Sequence, residues 1–573
     1  MDMALPSGTP THIHNVLKKW TRLDNVFATE HMLDTISICD TFPVEQGPNT
    51  DHIPIIMVLD MEISKAPPKK FRNFKDVDWE SFNNTLKGNL AHLGLPSHIQ
   101  LQSFLTRECD NLTKAIQDAI KSEVPISDIN AKSKHWWSKE LRNLHRESNK
   151  LGRTAYNYRR WPEHHIHEDL LAARKKYSNS IQYVKQHHWW DWLKKATDPD
   201  IWMAHKYISA PASDGGKTRI PNLTIMHAAG THLTNSNTDK SAALAKTFFP
   251  KKPRTVHANL QDQVYPDPAC IANAITKEQI CKHIACLGPY KAPGPDSIPN
   301  VVLIKCANTL VDRLWEIYTA ILKKGIYFAP WKMFTTIVLR KPGKPRYDTP
   351  KAYRPIALLN TMAKVLMSII AEQLTFHSEK LNLLPTHHYG GRPARTTTDA
   401  MHALTYQIKD VWQKRRVTSV LFLDIKGAFP NAVNERLIHN MKKRRVPTAL
   451  VKFTKNLLQD HFTTLKFNNF TSEHIPIDNG IGQGDPLSMV LYQYYNADIL
   501  DIPAGSNKSA MAYVDDAILI VTRENFIETH QTLMDMMTRP NGALDWSKDH
   551  NSRFEFSKLV LMDFAHRNNK KER

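Results

Sequence analysis

Two adjacent carboxylates, Asp515 and Asp516, interrupt an apolar stretch. Ser509-Ala510-Met511-Ala512-Tyr513-Val514 precedes them and Ala517-Ile518-Leu519-Ile520-Val521 follows. Two strand-like runs around a polar pair predict a β-hairpin with the acids at its tip. Like charges this close repel, and desolvation adds to the penalty. A divalent cation offsets both, and hard cations such as Mg2+ take carboxylate oxygens. The plain alternative is a polar turn, where Asp is common. A third acid, Asp424, ends the apolar run that starts at Thr418, and Gly427 then breaks the strand. Three acids from two strands suit two-metal phosphoryl transfer, in which one ion activates a hydroxyl and the other stabilises the leaving group. Between them, Gly480-Ile481-Gly482-Gln483-Gly484-Asp485-Pro486-Leu487-Ser488 forms a Gly/Pro-rich loop able to approach a ligand closely.

Taken together, these pieces resemble reverse transcriptases. Tyr513 with Asp515 and Asp516 matches their Tyr-x-Asp-Asp box. Asp424 with Ala428 and Phe429 matches a second box, and Gln483-Gly484 with Pro486 and Ser488 a third. The likeness is closer to non-LTR (LINE-type) retrotransposons. Lys291-Ala292-Pro293-Gly294-Pro295-Asp296 matches a signature of their fingers, and Gly390 to Thr397 resembles the box before the palm helix, with Gly391 where an aromatic is usual.

The resemblance implies an RNA-directed DNA polymerase. Asp424, Asp515 and Asp516 would be catalytic, with two Mg2+ (or Mn2+) at Asp424, Ile425 and Asp515. Lys341, Arg354, Phe429, Gln483, Gly484 and Lys558 would meet the nucleotide, and the Phe429 ring would crowd a ribose 2′-hydroxyl. Tyr513 would lie against the primer end, with Arg392 and Arg395 on the template backbone. The implied partners are an RNA template, a DNA primer or target DNA, and dNTPs. Two rivals stay open: an RNA-dependent RNA polymerase, and a decayed element that only binds nucleic acid.

Those motifs need elements to position them. At 573 residues the chain is long enough for several domains. Its net charge of +20 and pI near 9.4 point to a polyanion. Six scattered cysteines fit a reducing, intracellular setting. No apolar run is long enough for a transmembrane helix and no signal-peptide pattern opens the chain, so neither membrane nor secretion is expected. The expected fold is α+β, a right-hand polymerase of fingers (276–417) and palm (418–573, with no thumb), preceded by an extension at 211–275.

Ahead of these we expect a helical, basic linker at 63–210. Between Ala131 and Asp200 it holds 15 Lys/Arg against 8 Asp/Glu, and six tryptophans. Its Lys/Arg face suits nucleic acid, and the tryptophans suit packing between helices. Residues 1–62 include Asp24 in a strand-like run and the pair Asp51-His52 before another. An Asp beside a His can orient imidazole for phosphate chemistry; the plain alternative is a turn acid and a surface His. The pair resembles the closing motif of apurinic/apyrimidinic-type endonucleases, in which the acids matched by Asp24 and Asp51, and His52, belong to the active site. So short a segment predicts a partial endonuclease/exonuclease/phosphatase-type α/β sandwich without nuclease activity.

Overall fold

The computed structural model describes all residues except 1, 15–18, 47–49, 61–70, 95–98, 128–135, 195, 198–199, 203–204, 206–218, 228–229, 254–259, 261–262, 483 and 567–573. They fall into two units: Met1–Asn73 with Ile126–Gly216, and Phe74–Pro125 with Lys217–Arg573. This division corrects the expected linker at 63–210. Its helices Trp79–Ala91 and Gln102–Glu123 belong to the larger unit. The second buries Leu105, Cys109, Leu112 and Ile116 in the main core, and Gln102 Nε2 donates to the Tyr327 carbonyl at 2.7 Å. Amphipathic spacing shows that such helices need a partner, not which partner.

In the smaller unit, helices Lys139–Asn157 and Ile166–Lys194 pack through Leu151, Ala155, Ile166 and Leu170. Buried Arg174 on the second donates to Gln46 Oε1 at 2.5 Å. The tryptophans depart from the expected helix packing in part, since Trp161 and Trp190 are 59% and 49% exposed. Residues 1–62 were expected to form a partial sandwich. Among the described residues this region forms three separate strand pairs: Asp2–Met3 with Phe27–Ala28, His12–Ile13 with Trp20–Thr21, and Ile36–Thr41 with Ile55–Leu59. The run expected as one strand from Trp20 to Phe27 is broken. Thr11 Oγ1 accepts from the Leu23 and Asp24 amides at 3.0 and 2.9 Å and turns the chain there.

Among the described residues the larger unit carries two main sheets and a separate strand pair, Thr224–His227 with Gly230–Leu233. In the first, Val417–Leu423 lies between Asp516–Arg523 and Val560–Phe564, and Lys508–Tyr513 pairs with the far side of Asp516–Arg523, all antiparallel. The second joins Met333–Arg340 antiparallel to Tyr353–Leu358 and parallel to His461–Phe467. His461–Ile477, expected in the palm, is therefore in the sheet of the finger strands. Thr463, Leu465 and Phe467 are buried there, and Thr463 Oγ1 lies 2.7 Å from Thr336 Oγ1. Helices Ala307–Lys324, Thr361–Lys380 and Ser488–Asn496 fill the core beside the sheets. Among the described residues no helix is long and apolar enough to cross a membrane.

Candidate active site

Hydrogen-bond register brings the acids together. Val417–Leu423 pairs with the hairpin so that Leu423 faces Ala517, and Asp424 is the next residue along toward Asp516. Lys508–Tyr513 closes on Asp516–Arg523 with Tyr513 facing Asp516, leaving Val514 and Asp515 as the turn. Val514 has φ +58, an outlier conformation for a β-branched residue. The neighbours over-determine it. The Asn496 amide donates to the Val514 carbonyl, and a Cβ built on Gly390 would lie 2.6 Å from the Val514 nitrogen, so only glycine fits there. The chain before Gly390 also pairs with the hairpin: the Ala512 amide donates to the His387 carbonyl at 3.0 Å, and the Tyr389 amide to the Ala512 carbonyl at 2.8 Å. His388 is buried, which lowers its pKa to about 4 and keeps it neutral. Its Nε2 lies 2.9 Å from Asn496 Oδ1, steadying the amide that holds the turn.

A cleft of about 560 Å3 opens at this end of the sheet. Its lining includes Asp424, Ile425, Asp515, Lys341, Arg354 and Lys558. Asp516 and Tyr513 border a neighbouring cavity of about 430 Å3, walled by Met401 and Leu404; Asp424 and Lys558 edge both. Alternation along the hairpin thus sends the adjacent acids to different sides. Lys558 Nζ meets Asp424 Oδ2 at 3.0 Å. The last strand of this sheet begins at Val560, and Phe556–Lys558 before it is a single 3-10 turn. The Glu555 amide bonds to the Asp424 carbonyl at 2.9 Å, so this turn is what carries Lys558 to the acid.

Burial raises the pKa of Asp515, with repulsion from Asp516 and Asp424 adding to it. Asp516 is raised by burial and then by Asp424. Lys341 is lowered by burial and by Lys344, Arg354 and Lys558, so this part of the cleft repels further cations and favours an anion. The acids fit a hard divalent cation: they accept but do not donate, and they repel one another. No three palm acids have oxygens within 4.8 Å of one another among the described residues. Mg2+ needs no tighter protein cage, because one or two carboxylates plus substrate phosphates commonly hold it.

The raised carboxyls carry a stability consequence. A carboxyl raised in the folded state destabilises the fold where it is ionised, and the penalty fades as pH falls through the raised value. Asp515→Asn is therefore expected to raise the Tm of the metal-free chain at pH 7 by about 1–3 °C. The gain should shrink toward pH 4, as scanning calorimetry in EDTA can check.

Other residues singled out by the motifs fall elsewhere. Gln483 lies outside the described residues. Gly484 has φ +101, and a Cβ there would be 3.3 Å from the Ala357 carbonyl oxygen, so it packs on the finger strand beside Arg354. Phe429 does not line the cleft; its ring stacks on Tyr492 at 4.7 Å, beside the lining residue Pro430. Arg392 must be corrected. Its side chain is 3% exposed and binds Glu379 with two bonds of 2.6 and 2.8 Å, so its guanidinium is taken up by the protein itself. Arg395 donates to the Thr386 carbonyl and lies 3.8 Å from the same carboxylate. Asp24, Asp51 and His52 lie in the smaller unit, where His52 Nδ1 is 2.7 Å from Asp24 Oδ2. Glu379, Asn496 and Tyr492 were missed, since none belongs to a recognisable motif.

Residues 339–563, which span both sheets of the cleft, match the family model described as reverse transcriptase (RNA-dependent DNA polymerase). These residues are a reverse transcriptase domain. The chain holding it is similar to the probable RNA-directed DNA polymerase from transposon BS of Drosophila melanogaster, at 23% identity over 94% of this chain and 57% of the relative. It is also similar to the RNA-directed DNA polymerase from mobile element jockey of Drosophila funebris, at 22% identity over 90% of this chain and 57% of the relative. A match to the probable RNA-directed DNA polymerase from transposon X-element of Drosophila melanogaster reaches 28% identity over 36% of this chain and 23% of the relative. The chain spans just over half the length of the BS and jockey relatives that it matches.

Proposed function

We propose that the chain is an RNA-directed DNA polymerase of a LINE-type element, extending a DNA primer on an RNA template. The observation that carries this reading is the single cleft gathering Asp424 and Asp515 with Lys341, Arg354 and Lys558. Two divalent ions held by Asp424, Asp515 and the Ile425 carbonyl would lower the pKa of the primer 3′-hydroxyl and offset charge on the leaving pyrophosphate. Lys341 and Arg354 bind the triphosphate, Arg354 through paired hydrogen bonds and Lys341 as a point charge. Lys558 pairs with Asp424 at 3.0 Å and presents positive charge to the departing pyrophosphate. Tyr513 faces the primer end from the neighbouring cavity. Asp516, on that side, assists rather than leads.

In the smaller unit, the basic helices, with exposed Trp190 on the second and exposed Trp161 in the connection between them, supply nucleic-acid contact by charge and stacking. The 2.7 Å pair of His52 and Asp24 supports descent of residues 1–62 from an endonuclease.

The choice of deoxynucleotide tests the reading against an RNA polymerase. Tyr492 fixes the Phe429 ring beside the cleft wall. Phe429→Ala is expected to raise ribonucleotide incorporation relative to deoxynucleotide by about tenfold or more. An unchanged ratio in competitive single-nucleotide extension would remove Phe429 as the sugar gate.

A further inference from the structure

We propose that His12, Asp51 and His52 form a transition-metal site of the zinc class in the smaller unit. Their ligand atoms lie within 4.8 Å of one another, the only such group of three among the described residues. His12 and His52 are joined by an antiparallel bridge, with ring centroids 5.2 Å apart. Each imidazole already has an oxygen on Nδ1. For His12 it is Thr21 Oγ1 at 2.9 Å, and for His52 it is Asp24 Oδ2 at 2.7 Å. Both rings are thereby left with Nε2 for a metal, and His12 Nε2 points to Asp51 Oδ2 at 3.4 Å. Metal-bound histidines almost always have their second nitrogen tied in this way, which fixes the tautomer and, with a carboxylate, raises basicity.

Two imidazoles and a carboxylate suit zinc and its neighbours rather than Mg2+, which takes oxygen ligands. Three protein ligands leave one position for water. Asp51 and His52 are 44% and 49% exposed, so an ion has a path in. The site would clip residue 12 to residues 51–52 in a region of short strands with few buried apolar side chains, among them Leu5, Ile13 and Ile53. Such regions gain most from an ion that binds only the folded form. The endonuclease resemblance involves Asp24, Asp51 and His52 in phosphodiester chemistry; it includes neither His12 nor this class of metal. The inference is also independent of the polymerase reading.

Calorimetric titration of the full chain with Zn2+, in excess Mg2+ to fill the palm, tests it. We expect a site that His12→Ala removes. Thr21→Val and Asp24→Asn, which keep all three ligands, should weaken it about 10- to 100-fold. A wild-type footprint covers the chance that His12→Ala fails to fold. Zn2+ should protect His12 and His52 from diethylpyrocarbonate and leave the exposed His165 reactive. Zn2+ affinity unchanged in His12→Ala, or equal modification of His12 and His52 with and without Zn2+, would overturn the proposal.

Discussion

Asp515→Ala is expected to lower primer extension by on the order of 10³-fold or more while leaving nucleic-acid binding within a few-fold of wild type. Asp515 is on the cleft side of the hairpin with Asp424, Lys341, Arg354 and Lys558, whereas Asp516 borders the neighbouring cavity. Asp516→Ala should therefore cost distinctly less than Asp515→Ala. Binding should persist because it rests on many Lys and Arg contacts, not on one acid. The fold should persist too, since ionised Asp515 is a burden in the metal-free protein: burial and two acidic neighbours raise its pKa. Function and stability thus pull in opposite directions at this residue. Single-turnover extension, salt-dependent RNA binding and a melting curve on the same preparations separate the three effects. Equal losses in Asp515→Ala and Asp516→Ala would contradict the division of the two acids between cavities.

Arg392→Met is expected to destabilise the larger unit by about 1.5–3 kcal/mol, the worth of charge-assisted hydrogen bonds lost from a buried arginine to a partly exposed carboxylate. The guanidinium is 3% exposed and also donates to the Pro385 carbonyl at 2.7 Å and the His388 carbonyl at 3.3 Å. These bonds pin the segment whose next residues, His388 to Gly390, brace the Val514–Asp515 turn. Loss of Arg392 should therefore loosen the Val514 conformation as well as the fold. Arg395→Met, at a side chain 24% exposed and 3.8 Å from the carboxylate, should cost under about 1 kcal/mol. Urea denaturation distinguishes the pair. A fully stable Arg392→Met with weakened template binding would restore the role that the motif resemblance gave this arginine.

The contrast between Arg392 and Asp424 shows what the sequence could disclose. Asp424, Asp515 and Asp516 were legible because each sits at the end of a strand whose apolar run is local, and register follows from alternation. Lys558 was legible as a candidate, but its contact with Asp424 depends on the turn at Phe556–Lys558, which no local spacing encodes. Arg392 fitted a nucleic-acid motif equally well; only Glu379, 13 residues upstream on a different element, decides its role. The stacking of Phe429 on Tyr492 joins the first sheet's loop to a core helix, and no local spacing encodes such a contact. The helices at 79–123 and at 139–194 all read locally as helix, and nothing in their spacing names the partner each packs on, so their assignment to different units was invisible. His12 escaped notice because it gains meaning only when a bridge sets it beside His52.

The most direct test of the central claim is extension of a DNA primer annealed to an RNA template by the purified full chain, with dNTPs and Mg2+. The account predicts template-directed addition of deoxynucleotides that stops when EDTA is added and is absent in Asp424→Asn. RNA bound at moderate salt with no nucleotide added, under Mg2+ or Mn2+, would contradict it and leave a chain that holds nucleic acid without copying it.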